Sequence, residues 1–135
     1  MDINGANPPL LMVHGWGGSH QETWQNTGIE RLVNDAGTTV IGVDLLGHGT
    51  SDKSHDPNDY SDISAPIRKA IGARTTSVDA IGFSLGAIAL LDAAMHNPKY
   101  FRKLMLVGVG NGLFEPHKAD ETDRIIAGID GTAPG

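Results

Sequence analysis

Ser84 is the residue whose surroundings most clearly predict chemistry. It stands at the centre of Gly82-Phe83-Ser84-Leu85-Gly86, between an apolar run with β-branched residues and an aliphatic, small-residue run of helical length. A strand that turns directly into a helix leaves little room at the corner, and Gly82 and Gly86 lack the Cβ atoms that would collide there. We therefore expect the Ser84 hydroxyl to project clear of the sheet as a nucleophile.

The backbone N–H of Leu85 adds a second chemical feature. At the start of the following helix this N–H would point toward whatever Ser84 attacks, where it could stabilise an oxyanion. The simpler alternative is a glycine-rich helix start with an ordinary N-terminal serine. The position between a strand pattern and a helix pattern favours the nucleophile.

The elements that would hold this serine follow from the apolar pattern of the chain. Short continuous apolar runs predict buried strands, and they fall at residues 10–13, 38–45, 78–83 and 104–109. Helical spacing of apolar residues predicts three helices, at residues 21–36, from Ser61 or Ser64 to 71, and at 85–96. The third helix is apolar almost all round, so it should be the most buried. This alternation predicts one α/β domain over residues 1–135, with about four parallel strands and helices on both faces.

Two further motifs follow the first and second predicted strands. The first strand leads into His14-Gly15-Trp16-Gly17-Gly18, and the second into Asp44-x-x-Gly47-His48-Gly49-x-Ser51. Together with the Ser84 motif, and in this order, they resemble the α/β-hydrolase superfamily over about residues 10–114. The resemblance implies a partial α/β-hydrolase fold with the strand order 2-1-3-4.

The resemblance also assigns roles to residues of these loops. It implies that the backbone N–H of Trp16 is the second oxyanion donor. His14 would hold its loop, and Asp44 and His48 would fix the loop after the second strand rather than act in catalysis. Gly15 and Gly17 should not tolerate bulky residues, because a Cβ at either position would obstruct the loop.

The family's catalytic acid and histidine are not evident in this sequence. Complete members are longer, and the resemblance places both residues on later strands. Within this chain the candidates are Glu115 for the acid, at a position that some relatives use, and His117 for the base. A solvated loop residue is the simpler interpretation of His117. The remaining histidines are interpreted as surface or helix-cap residues: His20, His55 and His96.

Two functions from different classes remain open at this point. The resemblance implies a serine hydrolase acting on a small ester, lactone or related carbonyl substrate, without a cofactor. The missing acid and histidine favour the alternative, a truncated or degenerate hydrolase-like module that binds or assembles without catalysis.

The amino-acid composition limits the kinds of partner and the cellular compartment that we expect for this protein. The net charge is −6 with scattered charges, which argues against nucleic acid or an anionic membrane as a partner. The absence of cysteine excludes disulfides, thiolate metal sites and a cysteine nucleophile, and no histidine or carboxylate spacing predicts a metal site. The polar N-terminal residues do not resemble a signal peptide, so we expect a cytoplasmic protein.

The fourth predicted strand suggests a protein partner. Its core, Leu104-Met105-Leu106-Val107, is apolar and carries neither charge nor proline, although the strand should lie at the edge of the sheet. We therefore expect a two-fold homodimer in which the fourth strands pair antiparallel.

Overall fold

Four parallel strands form one sheet in the part of the chain that the structure describes. The computed structural model describes residues 7–74 and 76–110. The strands are β1 (Leu10–Val13), β2 (Val40–Val43), β3 (Val78–Phe83) and β4 (Phe101–Val107). Their order, β2-β1-β3-β4, confirms the predicted order. Val13 lies opposite both Val43 and Gly82, so the loops that follow β1, β2 and β3 leave the sheet at the same edge.

The strand bounds agree with the sequence pattern in part. β1 and β3 begin and end where they were predicted. β2 is shorter at both ends, since Thr38, Thr39, Asp44 and Leu45 lie in the flanking loops. β4 begins at Phe101, three residues before the predicted start, immediately after a one-turn segment at Pro98–Tyr100.

Three α-helices connect the strands: α1 (Ile29–Asp35), α2 (Ala65–Ile71) and α3 (Leu85–His96). α2 and α3 pack against one face of the sheet and form the main hydrophobic core with it. That core contains Leu11, Val13, Val43, Leu45, Ile67, Ile71, Val78, Ala80, Ala89, Leu90 and Ala93. α3 has five buried residues, more than α1 or α2, which confirms that it is the most buried helix.

α1 lies at the opposite face, where Val33 and Leu10 line a common surface cleft. The prediction of one helix over residues 21–36 is wrong. A separate wide turn, Gln21–Gln25, is closed by the Asn26 N–H donating to the Gln21 carbonyl, and Gly28 with φ 83° separates it from α1. The apolar side of α1 is not buried either: Leu32 is 70% exposed, because β2, the strand it contacts, is at the edge of the sheet.

Over residues 7–74 and 76–110, no helix combines the length and the hydropathy needed to cross a bilayer. The same ranges contain no group of three or more histidine and carboxylate side chains arranged to hold a metal ion.

Candidate active site

Ser84 occupies a strained turn between β3 and α3. Its backbone has φ 54° and ψ −113°, and no other non-glycine residue in the described ranges has a positive φ. A side-chain-bearing residue in such a region costs about 1–3 kcal/mol unless its surroundings hold it there. The Ser84 N–H donates to the Val107 carbonyl at 2.8 Å, and the Ser84 carbonyl accepts from the Ala87 N–H at 2.9 Å. β4 and the first turn of α3 therefore hold the corner from two sides.

Gly82 and Gly86 let the chain turn this tightly. A Cβ at Gly82 would lie 2.6 Å from the Gly86 carbonyl oxygen, and a Cβ at Gly86 would overlap the carbonyl oxygens of Val13 and His14. The start of α3 therefore packs directly against the end of β1. This contact brings the loop after β1, residues 14–18 (the oxyanion loop), beside Ser84.

The oxyanion loop also touches the residue before the serine. A Cβ at Gly15 would lie 3.0 Å from Phe83 Cδ1 and 3.2 Å from the Phe83 carbonyl oxygen, which agrees with the expected intolerance at Gly15. The expectation that a Cβ at Gly17 would obstruct the loop is wrong. The space around its Cβ position is open within 4 Å, and it is the φ of +77° that disfavours other residues there.

His14 is a buried structural residue. It has no exposed surface; its Nε2 accepts from the Leu45 N–H at 3.0 Å, and its Nδ1 donates to the Gly15 carbonyl at 2.7 Å. Burial lowers the pKa of His14, and the opposing effect of the Gly15 carbonyl does not outweigh it. The ring is therefore neutral with both nitrogens engaged, in agreement with the expectation that it holds the loop.

His48 is held in the same way from the neighbouring loop. Its Nε2 accepts from the Gly17 N–H at 2.9 Å, and its Nδ1 donates to the Leu46 carbonyl at 3.0 Å. The rings of His48 and His14 lie 5.0 Å apart at 49°. Neither ring has a free nitrogen with which to take a proton from Ser84.

Asp44 organises the loop after β2. Its carboxylate accepts from the His20 N–H at 2.8 Å and from both the N–H and the hydroxyl of Thr50 at 2.9 Å. Partial burial raises the pKa of Asp44, but the hydrogen bonds from His20 and Thr50 outweigh this effect and lower the pKa. Asp44 is thus an anion that fixes two segments of backbone, in keeping with the structural role expected for it.

A cavity of about 310 Å³ lies between the oxyanion loop and the loops after β2. Trp16 and Leu85, whose N–H groups were predicted as oxyanion donors, both line it. The other lining residues are Leu45, Leu46, His48, Tyr60, Asp62 and Ile63. Tyr60 and Ile63 were not predicted as site residues, because they follow a polar loop and carry no motif.

A larger cleft of about 780 Å³ lies on the other side of Trp16. It is open to solvent and lined mainly by polar residues of the loops after β1 and β2, and neither Ser84 nor Leu85 belongs to its lining. Ser84 does not line the smaller cavity either, but its neighbour Leu85 does, so the smaller cavity is the one nearer to the proposed chemistry.

The remaining predicted residues are distributed as follows. Glu115 and His117 lie outside the described residues. His55 and His96 are exposed, as expected. His20 stands at the N-cap position of the Gln21–Gln25 turn, as one of the two expectations had it, but it is not a surface residue: its ring packs over Gly42 of β2, where a Cβ would lie 2.8 Å from the imidazole. Glycine at position 42 leaves room for the His20 ring, a contact that the sequence pattern did not predict.

Comparison with known proteins identifies relatives over most of the chain. The family described as alpha/beta hydrolase fold matches residues 8–132. Pyrrolizixenacetamide deacetylase of Xenorhabdus hominickii is 32% identical over 107 residues, covering 78% of this chain and 39% of that protein. Pimeloyl-[acyl-carrier protein] methyl ester esterase of Vibrio atlanticus (strain LGP32) is 33% identical over 105 residues, covering 78% and 38%.

A solved structure shows the same fold. The thioesterase domain from the curacin biosynthetic pathway superposes with a TM-score of 0.69 at 24% identity, covering 96% of this chain and 47% of that one. The chain thus spans less than half the length of these relatives.

Proposed function

The chain belongs to the α/β-hydrolase fold family, and from this we propose that it acts as a serine hydrolase on a small ester, lactone or related carbonyl substrate, with Ser84 as nucleophile. The observation that carries the proposal is the strained turn at Ser84 in contact with the oxyanion loop. The deacetylase and the methyl ester esterase among the relatives support an acyl substrate.

In the proposed reaction, Ser84 Oγ attacks the substrate's carbonyl carbon and gives up its proton to a base. The carbonyl oxygen becomes an oxyanion held by the N–H groups of Leu85 and Trp16, which line one cavity. When the carbonyl reforms, the bond to the leaving group breaks and the leaving group takes the proton. Water then attacks the acyl–serine ester, and the acid product leaves with Ser84 restored.

The 310 Å³ cavity is the proposed site of the acyl group. Most of its lining is apolar. Two of the polar side chains in it are already engaged: the Tyr60 hydroxyl donates to the Ser54 carbonyl at 2.7 Å, and Asp62 is paired with Arg68. Such a surface fits a small, neutral, apolar acyl group without leaving a polar group unpaired.

The proposed reaction also needs a catalytic base and a catalytic acid. Glu115 and His117 stay candidates from the sequence, since His14 and His48 have both ring nitrogens engaged. Removing the base from a serine triad costs about a million-fold in turnover, whereas the oxyanion hole and binding alone retain about 10³–10⁴-fold over water. A catalytically silent, hydrolase-like module is therefore the second proposal, supported by the engaged ring nitrogens of His14 and His48.

A fluorophosphonate probe, which labels activated serines, separates the two proposals. We expect labelling of the wild-type chain near neutral pH that is lost in Ser84→Ala and kept in Ser61→Ala, a matched change at an exposed serine. If no Ser84-dependent labelling occurs in folded protein, the chain is not an autonomous enzyme and the second proposal stands.

We also propose that the chain forms a homodimer through β4. Within the described residues β4 pairs with β3 on one side and lies at the edge of the sheet, with Leu104, Met105 and Val107 exposed. An unprotected apolar edge favours pairing with a second copy. Antiparallel pairing would send the two Ser84 turns toward opposite ends, so neither copy could easily lend a histidine to the other. A cytoplasmic location also remains a proposal from the sequence alone.

A further inference from the structure

His14 and His48 form a reciprocal pair of contacts between two loops. His14, in the loop after β1, accepts the Leu45 N–H of the loop after β2 at 3.0 Å. His48, in the loop after β2, accepts the Gly17 N–H of the oxyanion loop at 2.9 Å. A carbonyl can only accept and an amide N–H can only donate, so both rings carry their proton on Nδ1 and offer the Nε2 lone pair.

The bond to Gly17 lies within a tight turn. The Gly18 N–H donates to the Gly15 carbonyl at 3.1 Å, which closes a four-residue turn with Trp16 and Gly17 at its centre. Gly17 has φ +77° and Trp16 does not have a positive φ, which defines a type II turn. Types I and II share the closing bond and differ in the orientation of the central peptide, here the one that joins Trp16 to Gly17.

The Gly17 N–H belongs to that central peptide, so His48 contacts the group whose orientation separates the two turn types. Little else restrains it: Trp16 is 63% exposed, and no atom lies within 4 Å of the Cβ position of Gly17. His14, by contrast, contacts the base of the loop through its own Gly15 carbonyl.

We infer that His48 is a positioning residue that fixes the type II turn of the oxyanion loop and thereby the backbone of Trp16. This inference rests on the proposed function only for its catalytic consequence: the Trp16 N–H belongs to the peptide before the central one, and a turn held in one type keeps that neighbouring peptide in place for the oxyanion. The requirement on residue 48 is a hydrogen-bond acceptor at the position of Nε2. Glutamine can place its side-chain oxygen there, whereas leucine has similar bulk and no acceptor.

The test compares His48→Leu and His48→Gln with the wild-type chain by amide hydrogen exchange in NMR spectra. A lost hydrogen bond of ordinary strength should speed exchange at the Gly17 amide about tenfold in His48→Leu, with recovery in His48→Gln. The Gly18 amide is an internal control, because its bond to Gly15 is present in both turn types. His96→Leu, at the exposed end of α3, controls for the loss of a histidine elsewhere.

Ser84 labelling by the fluorophosphonate supplies the catalytic readout. We expect the labelling rate to be about tenfold lower in His48→Leu and near wild type in His48→Gln. This loss is smaller than the loss of about 10²–10³-fold that follows removal of an oxyanion donor. Equal Gly17 exchange in wild type and His48→Leu would overturn the inference, as would equal impairment in His48→Leu and His48→Gln. If the wild-type chain is not labelled, the proposed function fails, and Gly17 exchange still decides the role of His48.

Discussion

At Ser84 the chain keeps a Cβ in a backbone region that glycine occupies far more readily. The Ser84 N–H donates to the Val107 carbonyl and the Ser84 carbonyl accepts from the Ala87 N–H, which holds this conformation, and close packing at Gly82 and Gly86 leaves no room to relax it. The strain would serve the proposed chemistry, because it presents the hydroxyl at the end of the sheet rather than against α3.

This strain should be measurable by comparing Ser84→Gly with Ser84→Ala. Both variants lack the hydroxyl, so they differ only in the Cβ. Relief of strain worth about 1–3 kcal/mol, reduced by the greater entropy of glycine in the unfolded chain, should make Ser84→Gly more stable by about 1 kcal/mol. Urea denaturation followed by circular dichroism gives the difference, and a Ser84→Ala variant more stable than Ser84→Gly by about 0.4–1 kcal/mol, the entropic cost of glycine alone, would show that the turn is not strained.

Gly86 should be the more sensitive glycine of the motif. An alanine Cβ would overlap the carbonyl oxygens of Val13 and His14, so α3 would have to move away from β1. We expect Gly86→Ala to lower the free energy of unfolding by about 1–3 kcal/mol, in the range of overpacked cores. Gly110→Ala is the matched control, because its Cβ position is open. Equal melting temperatures for the two variants would contradict the close packing described at the turn.

Among the strands, β4 has one face packed against the core and one face exposed. Leu106 packs against the hydrophobic core, whereas Met105 is 59% exposed on the other face of the strand. Arg102 forms two hydrogen bonds to Asp79 of β3, at 2.8 and 2.6 Å, which tie the start of β4 to its neighbour. A test of the proposed dimer should therefore alter Met105 and leave Leu106 in place.

We expect the wild-type chain to be a dimer at micromolar concentration and Met105→Lys to be monomeric, since a charge at the paired edge would be repelled by its copy. Light scattering after size-exclusion chromatography measures this difference. Met95→Lys introduces the same change at a residue of α3 that is 73% exposed, and it should stay dimeric. A monomeric wild-type chain would contradict the proposed dimer.

At the scale of the whole molecule, stability should fall with acid from near neutral pH. His14 is buried with a pKa below its ordinary value of 6.5, so the unfolded chain takes up a proton there before the folded chain does. One such proton lowers the free energy of unfolding by at most about 1.4 kcal/mol per pH unit, from pH 6.5 down to the folded pKa. Asp44 acts at lower pH: its pKa is depressed from 3.8, so its contribution is lost as the pH falls through the folded value.

Urea denaturation at pH 7.5, 6.5 and 5.5 measures this slope. His14→Gln removes the titrating group and should flatten the dependence between pH 6.5 and 5.5, even if the variant is less stable at every pH. An unchanged slope in His14→Gln would assign the acid sensitivity to another group.

The features that depend on neighbouring residues could be predicted from the amino-acid pattern. The bounds of β1, β3 and α3 follow from apolar periodicity, and the tight turn at Ser84 follows from glycines two positions to either side. The parallel order of the strands follows from the alternation of elements together with the family's motifs. The strand bounds and the turn are recorded within a few residues, where covalent geometry and side-chain period act directly, and the strand order is recorded in the succession of elements.

The contacts between the loops are visible only in the folded chain. His14 to Leu45 and Gly17 to His48 each span 31 residues along the chain, and the 310 Å³ cavity joins Trp16 to Tyr60, Ile63 and Leu85. The exposure of α1 likewise depends on its place beside an edge strand. Such contacts depend on how strands align and helices pack across the whole core, and this long-range arrangement is not recorded in any local sequence pattern.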